Sequence, residues 1–116
     1  MAEPSIFTRI IAGELPAKIL YEDEQCVVIP DINPQATTHL LIIPRKPLLH
    51  LGQAQEQDKP LLGHLLWVAA EMARKLQLDN GFRLVVNNGA GAGQTVDHLH
   101  IHLLSKKGFA ESDLSQ

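Results

Sequence analysis

The sequence predicts a small α+β domain, an antiparallel sheet of about five strands carrying one long helix and one short one. Three observations lead there. Apolar residues recur at intervals of three and four over one long stretch, and the other apolar runs are short and bounded by turn residues. The connections between those runs are brief enough for neighbouring strands to pair antiparallel, with the long helix packed on one face of the sheet. A chain of 116 residues makes about one domain, so 1–116 is read as a single unit.

From Ser5 onward, Ile6, Phe7, Ile10 and Ile11 have helical spacing, with Ser5 as N-cap and Gly13 ending the run ahead of Pro16. Two strand-like runs, Lys18–Glu22 and Gln25–Pro30, are joined by the acidic turn Asp23-Glu24 and read as a hairpin. Turn residues fill Asp31 to Gln35, and His39–Pro44 is a dense aliphatic run suited to a buried central strand. Between Asp58 and Leu76, the residues Leu61, Leu62, Leu65, Leu66, Ala69, Met72 and Ala73 mark the long helix, and Pro60 is tolerated in its first turn. Gly81 stops that helix and Phe82–Asn87 reads as a strand. A glycine loop spans Gly89–Gly93, and Val96–Leu104 alternates as the last strand.

Hydrophobic residues make up 45% and charged residues 20%, the balance of an ordinary globular protein. Ten Lys and Arg against thirteen Asp and Glu give a net charge of −3, so the positive footprint that attracts long phosphate backbones is missing and nucleic acid is not expected as a partner. No apolar stretch approaches eighteen residues, and the start lacks the basic and apolar regions of a secretory signal. A cytoplasmic protein with no membrane partner is therefore expected. The single cysteine, Cys26, sits in an apolar run and reads as a buried small hydrophobe.

The chemistry concentrates in His98, His100 and His102. In a strand, alternate side chains share a face, so the three imidazoles are expected on one side and Leu99, Ile101 and Leu103 on the other. Three histidines in a row are poor packing, because each ring carries nitrogens that need partners. A metal site is the first rival. Strand rise sets the backbones of His98 and His102 roughly 13 Å apart, while nitrogens on one zinc lie about 2.0–2.1 Å from it, so the three do not readily share one ion. No metal and no cofactor are expected. A row of imidazoles instead suits an extended anion, and the glycines just upstream allow backbone N–H groups to converge on phosphate oxygens. Neutral imidazole is a good nucleophile near pH 7 when one ring nitrogen donates a hydrogen bond and frees the other.

The segment His98-Leu99-His100-Ile101-His102-Leu103-Leu104 resembles the signature of the histidine triad (HIT) superfamily. Similarity to its Hint branch extends over Ile6-Phe7, Ile10-Ile11, Gly13 to Lys18, Asp31 to Ala36, Thr38-His39 and Gly93 to Val96, so it covers about residues 5–104. The resemblance implies hydrolysis of purine nucleoside phosphoramidates and acyl-adenylates through a nucleotidyl-histidine. His100 would be the nucleophile and His102 would contact the α-phosphate. His98 would orient the nucleophile through its carbonyl, and His39 would stand behind the triad in a hydrogen-bonded relay. By itself His39, on an apolar strand, reads as a satisfied core histidine.

The same resemblance gives Asp31 the ribose hydroxyls, and Ile6, Phe7, Ile10, Ile29 and Ile32 the purine ring. Asn87, Gly93, Gln94 and Thr95 would sit on the phosphate side. It also implies a homodimer in which the long helix and a strand extend the sheet across a two-fold. His50, His64 and Trp67 fall outside the matched motifs and are assigned to surface or packing. The tail over 105–116 departs from the branch, and Ile29 and Pro30 stand where many relatives carry other residues. Two alternatives remain: a dinucleoside polyphosphate hydrolase of the same superfamily, and a nucleotide- or metal-binding module without turnover.

Overall fold

Five antiparallel strands form one sheet in the order β1-β2-β3-β5-β4, and a helix covers each face of it. The structure, a computed structural model, describes residues 4–106. The strands are β1 (Tyr21–Glu22), β2 (Cys26–Pro30), β3 (Thr38–Pro44), β4 (Arg83–Val85) and β5 (Ile101–Ser105), and the helices are α1 (Ile6–Ile11) and α2 (Lys59–Lys75). The α+β class and the antiparallel sheet expected from sequence are therefore present.

Alternation along the central strands feeds two cores. Cys26, Val28, Leu40, Ile42 and Leu103 point toward α2, where Leu65, Val68, Ala69 and Met72 meet them. Val27, Ile29, Leu41 and Ile43 point the other way, toward Phe7 of α1. A strand buried on both sides reads as a continuous apolar run, which is why β2 and β3 lack a polar face. The sheet is thus covered twice, where sequence patterning had placed a helix on one face only. No helix among the described residues is long and apolar enough to cross a membrane.

Several strand bounds differ from expectation, for physical reasons. The run expected over Lys18–Glu22 pairs only at Tyr21 and Glu22. In that register Ile19 would face Pro30, which has no N–H to offer. The strand expected over Phe82–Asn87 keeps only Arg83–Val85, because Asn88 turns away and accepts from Leu51 N at 2.8 Å. The largest correction concerns Val96–Leu104. Val96 to His100 are not in the sheet: His98 N bonds to Val96 O at 2.8 Å, Leu99 N bonds to Leu48 O at 2.7 Å, and the strand begins at Ile101.

Two side chains assigned to surface or packing have defined partners. His64 Nε2 donates to Asp23 Oδ2 at 2.6 Å, tying α2 to the β1–β2 turn, and His50 Nδ1 accepts from Gly52 N at 3.0 Å. Cys26 is fully buried, as expected, and burial pushes its thiol up to about 12. Trp67 is 58% exposed and lies under the Arg74 guanidinium, 5.0 Å from the ring centroid.

Candidate active site

On the α1 face of the sheet, four imidazoles and one phenyl ring form a continuous row. Phe7 lies edge-on to His100 at 5.0 Å and to His98 at 6.1 Å, His100 is 4.9 Å from His102, and His102 is 5.1 Å from His39. The shared face expected for the triad is present, although only His102 stands in a strand. His39 joins from β3. The register sets Leu41 opposite His102, so His39 is its diagonal neighbour on the same face.

The partners of each ring assign its protons. His98 Nε2 donates to Pro44 O at 2.8 Å, so its Nδ1 accepts, with Ser5 Oγ at 3.1 Å and Thr8 Oγ1 at 3.2 Å. His100 Nδ1 donates to His98 O at 2.7 Å, which leaves its Nε2 with a free lone pair. His39 Nδ1 accepts from Gln35 N at 3.0 Å, so its Nε2 carries the proton and donates to His102 Nδ1 at 2.8 Å. By elimination the proton of His102 sits on Nε2. His100 therefore offers a lone pair and His102, beside it, a donor.

Burial favours the neutral form of three of these imidazoles. It holds His98, His39 and His102 below the usual imidazole range, and for His102 the neighbouring imidazoles of His100 and His39 act in the same direction, which together bring it down to about 4. Asp31 works in the opposite direction on His39 and His102, with its Oδ2 3.4 Å from His39 Nε2. The other oxygen of Asp31 accepts from Asn33 N at 2.8 Å.

His100 and His102 open into a cleft of about 260 Å³ whose walls are Ile6, Phe7, Ile10, Ile29, Pro30, Asp31, Ile32, Leu41, Thr95 and Val96. Ile32 is 97% exposed at its edge. Most of the residues expected to form the site are gathered here. Leu41 and Val96 line it without having been anticipated, and the alternation that pairs Leu41 with His39 along β3 is the signal that could have found the first.

Asn87, Gly93 and Gln94 are not among the lining residues. Gln94 is buried and fully engaged: its Oε1 accepts from Gly89 N at 2.8 Å, and its Nε2 donates to Leu49 O at 2.7 Å and Val96 O at 2.9 Å. Asn87 Nδ2 donates to Ala92 O at 3.0 Å. The loop amides of Ala92, Gly93 and Gln94 bond to the carbonyls of Gly89 and Ala90. The glycine segment is thus a self-bonded turn braced by Gln94, in which the amides of Gly89, Ala92, Gly93 and Gln94 already donate within the loop.

Among the described residues, two groups of side chains could hold a metal ion. Ligand atoms of Asp31, His39 and His102 lie within 4.8 Å of one another, as do those of Asp23, Cys26 and His64. The span that separates the triad histidines does not apply to the first group, because His39 and Asp31 reach His102 from other segments. In the second, the thiol is protonated and the Asp23 carboxylate already accepts from Tyr21 Oη, His64 Nε2, Gln25 N and Cys26 N.

Residues 12–109 match the HIT domain. An uncharacterized HIT-like protein of Synechocystis is 53% identical over 110 residues, covering 95% of this chain and 96% of that one. A 14 kDa zinc-binding protein of Zea mays is 46% identical over 103 residues, covering 87% and 80%. Among solved structures, a HIT family hydrolase from Legionella pneumophila superposes with a TM-score of 0.90 at 38% identity, covering 93% of this chain and 97% of that chain. One from Clostridium thermocellum gives 0.88 at 39%, covering 96% and 99%. With the domain matched over most of its length and the histidine row built as described, the chain belongs to the HIT domain family and has the fold of its hydrolases.

Proposed function

We propose that the chain cleaves the P–N bond of purine nucleoside phosphoramidates, and acyl-adenylates likewise, through a nucleotide held covalently on His100. The observation that carries this reading is the hydrogen bond from His100 Nδ1 to His98 O, which aims an unprotonated Nε2 at the cleft. Nε2 attacks the α-phosphorus, a P–N bond to the ring forms, and the bond to the leaving amine breaks as that amine takes up one proton. Water then cleaves the nucleotidyl-imidazole, one proton is released, and His100 returns with its Nδ1 proton kept. The His102 Nε2–H donates to a phosphoryl oxygen. A donor fixed in place beforehand stabilises the charge that develops there, and such stabilisation contributes most of the rate gain in phosphoryl transfers.

The apolar walls from Ile6, Phe7, Ile10, Ile29 and Ile32 suit the faces of a purine, and the Asp31 carboxylate suits two vicinal ribose hydroxyls. Thr95 lies at the phosphate end, and Asn87, Gly93 and Gln94 act behind it by holding the loop in shape.

The test compares adenosine 5′-phosphoramidate with a diadenosine polyphosphate, using wild type, His100→Ala and chelator-treated protein. AMP is expected from the first substrate, unaffected by chelator and lost in the variant. Turnover unchanged by His100→Ala overturns the mechanism, and preference for the second substrate favours the polyphosphate hydrolase. A second reading, metal binding without turnover, is favoured by the grouping of Asp31, His39 and His102. It predicts that the protein binds nucleotide or zinc and releases no AMP from either substrate.

A homodimer is part of the same proposal. Among the described residues β4 is the end strand of the sheet, beside β5, and Leu66 on α2 is 55% exposed and lines an apolar groove of about 210 Å³ that includes Leu51 and Val86. Exposed apolar side chains around such a groove suit an interface with a second copy.

A further inference from the structure

We infer that Ser5 and Thr8 are positioning residues for His100, acting through the ring of His98 to latch α1 onto the histidine row. This rests on the proposed chemistry at His100 and adds to it two hydroxyls that lie outside the triad.

The latch is a chain of short contacts. Ser5 Oγ and Thr8 Oγ1 stand 3.1 and 3.2 Å from His98 Nδ1, and Ser5 Oγ donates to Thr8 Oγ1 at 3.2 Å, so the ring lone pair faces two linked hydroxyls, of which Thr8 is free to donate to it. On its other side the same ring donates to Pro44 O at 2.8 Å, at the end of β3. Its carbonyl receives the Nδ1 proton of His100 at 2.7 Å. The His98 ring is 1% exposed, so each of its nitrogens depends on these partners.

Two features make the tether consequential. The segment Val96 to His100 lies outside the sheet, so the ladder that holds His102 does not hold His98 or His100. The ring of His98, pinned at both nitrogens, fixes the carbonyl on which the orientation of His100 depends. The second feature is the length of α1, six residues, too short to be stable by itself in water. Its place on the sheet is set by burial of Phe7 and by the hydroxyl contacts to His98. Phe7 in turn stands edge-on to His100 at 5.0 Å. Ser5 also accepts from Thr8 N at 3.1 Å, so one hydroxyl caps the helix and docks it.

The hydroxyls also select the ring proton. A donor at Nδ1 requires a lone pair there and leaves the proton on Nε2 for Pro44 O. Without the hydroxyls, His98 loses a buried partner and α1 loses its tie, and the 5.0 Å contact of Phe7 with His100 loosens. Misplacement of a reacting group by about 1 Å can cost as much as ~100-fold in rate.

The experiment pairs Ser5→Ala/Thr8→Val with the conservative variant Thr8→Ser, and runs His100→Ala beside them. Turnover of adenosine 5′-phosphoramidate and histidine ¹⁵N chemical shifts are both measured. In the double variant kcat is expected to fall on the order of tenfold with KM changed less than about threefold. The His98 Nδ1 resonance is expected to move toward the position of an unbonded ring nitrogen, while Thr8→Ser, which keeps both hydroxyls, retains the wild-type kcat and resonance. A double variant that keeps wild-type kcat and an unmoved Nδ1 resonance overturns the latch. So does a Thr8→Ser variant that loses as much kcat as the double variant. If His100→Ala keeps its turnover, the reading of the reaction fails instead. The ring-nitrogen shift still decides whether the hydroxyls hold His98.

Discussion

His39 Nε2 lies 2.8 Å from His102 Nδ1, a hydrogen bond between adjacent strands β3 and β5 that no pattern within either strand announces. It gives His102 its tautomer and joins a fourth imidazole to the row. Its energetic setting is a buried cluster in which His39, His98 and His102 fold in the neutral form.

That cluster predicts the acid side of the stability curve. His39, His98 and His102 titrate below their ordinary 6.5 when folded, His102 near 4, whereas the unfolded chain takes up protons near 6.5. The unfolded state therefore binds more protons below that pH. Stability from these groups is fully present above about pH 7 and is lost as pH falls from 6.5 toward 4, by up to about 1.4 kcal/mol per pH unit for each ring. Thermal melts are expected to show Tm lower by roughly 10 °C at pH 5 than at pH 7.5. A Tm flat across that interval would falsify the neutral cluster.

Gln94 braces the glycine loop with all three of its hydrogen bonds made. Gln94→Ala is expected to cost about 2 kcal/mol and to speed amide exchange over Gly89–Gly93. Gln94→Glu, nearly identical in shape, is expected to cost about 3 kcal/mol or more, because a buried carboxylate would face the carbonyls of Leu49 and Val96. Chemical denaturation ranks the two, and a Glu variant as stable as wild type contradicts the assignment.

Asp23 collects four hydrogen bonds at the β1–β2 turn, and despite the opposing effect of burial they hold its carboxyl well below the usual carboxylate range. Asp23→Ala is expected to destabilise the fold by about 3 kcal/mol, and His64→Ala, at a partly exposed position, by about 1 kcal/mol. A double-mutant cycle should give a coupling of about 1 kcal/mol between them. Independent, additive losses would show that the 2.6 Å contact carries no energy.

The exposed Leu66 and the apolar groove it lines with Leu51 and Val86 predict self-association. Sedimentation at micromolar concentration is expected to give twice the 12.8 kDa chain mass, and Leu66→Glu to return the monomer. A wild-type chain that sediments as a monomer at those concentrations removes the dimer from the proposal.

The sequence by itself determined the class of the fold, both helices, the central strands and the three histidines. Each of these is a local signal: the three-and-four spacing over Leu61–Leu76, the aliphatic run up to Pro44, and the alternation of imidazoles with Leu99, Ile101 and Leu103. Even where Val96 to His100 left the sheet, that alternation still placed the rings together, because Leu99, Ile101 and Leu103 all enter the core beneath α2. What the tertiary structure decided was every relation between segments. His39 reached His102 through strand register, Ser5 and Thr8 met His98 through the docking of α1, and Gln94 was turned into the loop by Leu49 and Val96. Which ring nitrogen carries a proton depends on partners as many as 93 residues away in the chain, and the roles proposed for the three histidines depend on those protons. Local pattern encodes which face a side chain takes. The opposite element, brought near only by folding, determines what that side chain meets there.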